Sequence, residues 1–141
     1  MKQRTVFWGL ALVLLSGAAP AFGDDLSEAA AVLCSSSWAM VCTSDEVCES
    51  GPPWAWNIPQ FVEVDLATKM LSTTEASGED RTTPAEVLRR EGNVIFIQGI
   101  ELGRAFSIVV AEDTGSMSAV IAGDEFTVSV FGACTPLPAE R

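Results

Sequence analysis

The sequence predicts an all-β domain: a small antiparallel meander, curled sheet or barrel of about seven to eight strands, with room for one short helix. Three observations predict it. Beyond Gly92 the chain runs through four short segments rich in β-branched and aromatic residues, VIFIQ (94–98), AFSIVVA (105–111), SMSAVIA (116–122) and FTVSVF (126–131). Turn-forming stretches separate them, at Glu101-Leu102-Gly103-Arg104, Asp113-Thr114-Gly115 and Gly123-Asp124-Glu125, and short strands at such regular spacing favour an antiparallel meander. Finally, four cysteines bracket the chain, at positions 34, 42, 48 and 134. Curling the sheet protects its edges and brings the first and last strands together, where Cys34 and Cys134 can bond.

The chain opens with a leader. Met1-Lys2-Gln3-Arg4 is basic, TVFWGLALVLL (5–15) is apolar, and SGAAPAFG (16–23) is built mostly of small residues. These are the three regions of a signal peptide, cleaved after Gly23 or Ala21. A spanning helix wants roughly 20 apolar residues, and a lipoprotein wants a cysteine at the cleavage site, far upstream of Cys34. Residues 1–23 are therefore expected to be a signal peptide and residues 24–141 a single disulfide-bonded β domain, periplasmic or secreted, with no membrane association after cleavage. In an oxidising compartment an even cysteine count reads as two disulfides. Of the three possible pairings, Cys42–Cys48 with Cys34–Cys134 is favoured, because a clip around about 100 residues removes about 4–5 kcal/mol of unfolded-state freedom against about 2–3 for a short loop. Zinc would want C-x₂-C spacing or histidine.

The elements follow in order. DDLSEAAAVL (24–33) is acidic and then alanine-rich, and Ser27 fits as the cap of a single helical turn. SWAMVC (37–42) alternates like a strand, TSDEVCESGPP (43–53) is a loop, and Trp54-Ala55-Trp56 follows. Phe61, Val62, Val64 and Leu66, with Glu63 and Asp65 between, read as a half-buried strand onto which 69–73 pairs back. STTEASGEDRTT (72–83) is a polar loop. Residues 84–91 fit two states equally: Thr83-Pro84-Ala85-Glu86 has the cap, proline and glutamate of a helix start, and Ala85 to Arg90 also fits a strand turning at Glu91-Gly92-Asn93.

Charge and missing residue types narrow the function. The leader holds two of the eight basic residues and none of the nineteen acidic ones, so the mature chain carries a net charge near −13. Such a surface repels nucleic acid and anionic lipid and favours a basic protein partner, a cation or simple solubility. Oligomeric state is not specified by the residues. Histidine and tyrosine are absent. That removes Ser-His-Asp and Cys-His catalysis, histidine metal ligands and the usual near-neutral proton shuttle.

Several constellations have a structural reading beside a functional one. Asp113-Thr114-Gly115-Ser116 spells the aspartic-protease tetrapeptide, but a lone copy requires a dimer to supply the second carboxylate. Glu112 stands where that family has an apolar residue, and the Ile121-Ala122-Gly123 element comes too soon. A hairpin turn is the expected role. Trp54 and Trp56 present two large rings for stacking or docking, or cover the open end of the sheet. Asp45, Glu46 and Glu49 lack the D-x-D-x-D-G pattern of a calcium loop. Arg89 and Arg90 read as an exposed pair, and Arg104 has Glu101 and Glu112 as candidate partners. No Asn-x-Ser/Thr sequon and no glycine-rich phosphate loop is present, and no cofactor is expected.

The C-terminal half, through Gln98-Gly99, Glu101, Gly103-Arg104-Ala105-Phe106-Ser107, Thr114-Gly115, Met117 and Val130-Phe131-Gly132-Ala133-Cys134-Thr135-Pro136, resembles uncharacterised small secreted bacterial proteins, as does the N-terminal cysteine cluster. The likeness covers about half the mature chain, with F-G-A-C-T-P its most specific piece. That group has no assigned activity and implies no functional residues. In size, compartment and cysteine use the chain is also similar to periplasmic inhibitors of lysozyme. The expected function is an exported, non-enzymatic binding or inhibitory module with an acidic surface. The alternatives are a small apolar-ligand carrier and a dimeric aspartic protease using Asp113.

Overall fold

In a computed structural model, residues 24–77 and 80–138 are described, and the leader expected over 1–23 lies outside them. Ten strands form, in chain order β1 (Ala31–Thr43), β2 (Cys48–Gly51), β3 (Phe61–Asp65), β4 (Met70–Thr73), β5 (Thr82–Pro84), β6 (Val87–Glu91), β7 (Val94–Glu101), β8 (Arg104–Ala111), β9 (Ser116–Ala122) and β10 (Phe126–Pro136). Nine of them make one antiparallel path, β5-β4-β3-β1-β10-β9-β8-β7-β6, and β2 adds a hairpin on the far half of β1. The domain is all-β, and its sheet curls into a half-barrel.

The curl follows from the connectivity. The two edge strands, β5 and β6, are consecutive in sequence with only Ala85 and Glu86 between them. β5 pairs with β4 and β6 with β7. The Ala85 N–H donates to the Lys69 carbonyl and the Glu86 N–H to the Gln98 carbonyl. One stretch of chain thus reaches from one margin of the sheet to the other, so few backbone groups are left for a foreign strand. The same stretch resolves the ambiguity over 84–91 in favour of a strand. A two-turn helix would bury only a narrow stripe, whereas β6 makes a full ladder with β7 and leaves Arg89, Arg90 and Glu91 outside.

β1 starts six residues before the expected strand at 37, because Ala31 to Ser35 have β3 on one side and β10 on the other. No helix forms around Ser27. Its N–H instead bonds the Asp25 carboxylate, which holds that carboxyl below its ordinary range. A bulge at Ser36–Trp38 shifts the register of β1 against β10. It changes which residues point inward: Val32, Cys34 and Ser36 are buried before it and Ala39 after it. Gly132 faces this bulge, where any Cβ would strike the Ser35 carbonyl oxygen.

Cys34–Cys134 and Cys42–Cys48 are both bonded. Each links direct register partners, across β1–β10 and β1–β2. Among the most deeply buried side chains are Leu26, Val32, Val64, Ile95, Ile97 and Val110, and Ile95 and Val110 pair in register near the end of the half-barrel where Leu26 bonds Glu112. The N-terminal segment closes that end. The Leu26 N–H bonds the Glu112 carbonyl, and Arg90 donates to the carbonyls of Ser27 and Ala29 while pairing with the buried Glu112 carboxylate at 3.2 Å. Arg89 and Arg90 are both exposed, as expected of the pair, and Arg90 also acts as a clamp on the N-terminal segment.

Candidate functional site

At the other end, toward the β7–β8 turn, the interior is not filled. A cavity of about 130 Å³ lies between β3 and β4 on one side and β8, β9 and β10 on the other. Its position follows from strand alternation, since residues two apart on a strand share a face. Phe106 and Ile108 on β8 point inward, opposite Ile121 and Ala119 of β9 in register. Val130 of β10 stands across from Ala119, and Val62, Val64 and Leu71 form the facing wall. Small side chains make the space. In the row Ile97–Ile108–Ala119–Val130–Ala39, which crosses five strands, two of five positions are alanine. Beside it, the Phe106 ring lies over Gly99, where a Cβ would come within 2.6 Å of the ring.

Ser36, Asn57, Ser72 and Thr73 add neutral polar groups to this lining, and its charged groups gather in one part of it. Thr83, Arg81, Glu101 and Arg104 come from β5, the chain just before it, and the β7–β8 hairpin. The Thr83 hydroxyl donates to Glu101 Oε1 at 2.8 Å, and Arg81 lies 3.7 Å from the same oxygen. Arg104 is half-buried and, among the described residues, its side chain makes no hydrogen bond or ion pair. Its two candidate partners are engaged elsewhere, Glu101 with Arg81 and Glu112 with Arg90. A second, smaller hollow of about 110 Å³ adjoins the first through Asn57, Ile58, Pro59 and Arg81, and is bordered by Trp54 and Ser77.

The two tryptophans part company. Pro53–Trp56 is a turn of 3₁₀ helix, with Pro53 buried in its first turn and Asn57 closing it at positive φ. With three residues per turn, positions two apart face different directions. Trp56 packs against Gly51 and the core, and Trp54 stands 60% exposed. They share neither one strand face nor one buried cover. Asp113 is exposed in the β8–β9 turn, at the end opposite the cavity. There the Gly115 N–H bonds the Ala111 carbonyl and the Cys134 N–H bonds the Gly115 carbonyl. Asp45, Glu46 and Glu49 are exposed around the β1–β2 turn, and among the described residues no three acidic, cysteine or histidine groups converge on a metal position.

The inward faces of β8 and β9 and Arg81 are the site residues that the sequence reading passed over, and Arg104 was read only as an ion-pair partner. The signal was present, as the alternations Phe106/Ile108/Val110 and Met117/Ala119/Ile121. No helix among the described residues is long and apolar enough to cross a membrane. No protein-family model matches the chain and no curated protein is significantly similar to it.

Proposed function

We propose that this protein is an exported, non-enzymatic carrier that holds a small apolar ligand in the cavity between β3, β4 and β8–β10. The cavity carries the reading: an apolar space of about 130 Å³, close in size to one of about 150 Å³ that takes up benzene. Barrels of about eight strands are wide enough to hold one small ligand. The leader over 1–23 and the two disulfides support export to the periplasm or medium. The absence of histidine, with every cysteine bonded, supports binding over catalysis.

Methyl NMR with 1-octanol tests it. Resonances of Ile108, Ala119, Ile121 and Val130 should shift saturably, and native mass spectrometry of protein isolated from its own compartment should show a bound mass. Unshifted methyls at saturating 1-octanol, and with octanoate in its place, overturn the carrier. A second reading, a binding or inhibitory module for a basic protein, is favoured by the outward Trp54 and the acidic β1–β2 turn. Pull-down from periplasm at low salt checks it, and recovery of no basic partner removes it.

A further inference from the structure

We infer that the ligand of this cavity is an amphiphilic anion, a short apolar chain or ring ending in a carboxylate, and that Arg104 reads its charge. The inference rests on the carrier reading and adds the chemical class of the cargo.

Cations are scarce in this chain, six against nineteen acids after the leader, yet two of the six line this mostly apolar cavity. Their environments differ. Arg81 sits beside the Glu101 carboxylate, which also accepts the Thr83 hydroxyl, so the negative charge of Glu101 has a local counter-ion. Arg104 directly opposes Glu101 in the β7–β8 ladder and still forms no pair with it. A guanidinium drawn partly out of water without an acceptor is unfavourable. Its planar fork matches a carboxylate through two parallel hydrogen bonds. A carboxylate arriving with its tail in the cavity would satisfy that group and bury its apolar part together.

The dimensions agree. Arg104, Phe106 and Ile108 alternate on the inward face of β8, and four residues of strand span roughly 13 Å. A ligand whose head meets Arg104 can therefore reach the level of Ile108 and Ala119, where the alanine leaves space. A neutral alcohol of equal length would gain the apolar burial only. A cationic amine would meet Arg104 as a like charge.

Isothermal titration with octanoate, 1-octanol and octylamine separates these terms. The expected order is octanoate at least about tenfold tighter than 1-octanol, with octylamine weakest. Octanoate affinity should fall between low and high salt while that of 1-octanol does not. R104Q should lower octanoate to the affinity of 1-octanol, and R104K should keep part of the difference, with thermal unfolding midpoints reporting that both variants fold. Equal affinity for octanoate and 1-octanol in the unmodified protein overturns the inference and leaves the carrier standing. So does an R104Q variant that weakens both ligands equally. Failure of all three probes to bind removes the carrier reading as well.

Discussion

Cutting the two disulfides one at a time should cost very different amounts, because the loops they close differ in length. Cys34–Cys134 spans a sequence separation of 100 and Cys42–Cys48 one of 6. A cross-link stabilises chiefly by shrinking the unfolded ensemble, as the logarithm of loop length, which for these loops gives about 4.7 and about 2.4 kcal/mol at 25 °C. The folded state widens the gap. Cys34 and Cys134 are buried in the core between β1 and β10, whereas Cys48 lies exposed on the β2 hairpin. Replacing the first pair with alanine also thins the interior, so the two double-alanine variants should differ by at least about 2 kcal/mol. For a domain of about 115 residues the unfolding entropy is about 0.24 kcal/mol per kelvin, so unfolding temperatures should fall by about 20 °C for C34A/C134A and about 10 °C for C42A/C48A. Equilibrium urea unfolding of both variants, comparing midpoint and slope, measures this. Equal losses, or a larger loss for the short loop, would refute the loop-length reasoning.

Gly115→Ala should lose about 3 kcal/mol or more, because φ is +66° and the added Cβ collides with the Cys134 carbonyl, whereas Gly92→Ala, at φ +63° in open space, should lose only about 1; chemical denaturation of both compares them directly. Trp56→Ala should cost about 2–3 kcal/mol and Trp54→Ala less than about 0.5, and a similar cost for both would contradict their opposite orientations. Asp65 accepts the backbone N–H groups of Thr68 and Ala67 at 2.8 and 2.9 Å. The Thr68 bonds lead in holding its carboxyl below the ordinary 3.8. A lowered folded-state pKa means that its contribution to stability is complete above that value and is lost as pH falls through the folded one. An NMR titration midpoint for Asp65 at or above 3.8 would count against the turn. Ala119→Leu should fill the cavity, raise stability by about 1–2 kcal/mol and abolish 1-octanol binding; retained binding would place the ligand elsewhere.

The strands beyond Gly92 were legible because each is a local pattern, a β-branched run between turn residues, and β7 to β10 fall on the four runs read from the sequence. What escaped depends on partners distant in sequence. β1 begins at Ala31 only because β3 and β10 flank it. The strand at 84–91 wins over a helix only because the two margins of the sheet lie within reach of one short segment. Arg90 looked like one of an exposed pair, and it is the fold that brings three N-terminal carbonyls and Glu112 to its guanidinium. The cavity residues were visible as alternation, but alternation marks an inward face equally well whether that face is filled or hollow.

That distinction turns on how the interior is divided. Near the N-terminal segment Leu26, Val32, Ile95 and Val110 are wholly buried, whereas Val62, Phe106, Ile108 and Ile121 around the cavity keep part of their surface. Side chains around that space forgo part of the apolar burial a filled interior would give them, at roughly 25 cal/mol per Å². A domain whose total stability is about 5–15 kcal/mol feels such a loss. The Cys34–Cys134 bond works against it, since its contribution of about 4.7 kcal/mol acts through the unfolded chain, independently of how the cavity is lined. The carrier reading and the disulfide framework are therefore linked: a small β domain can keep part of its interior open for a ligand because two strands far apart in sequence, β1 and β10, are tied covalently.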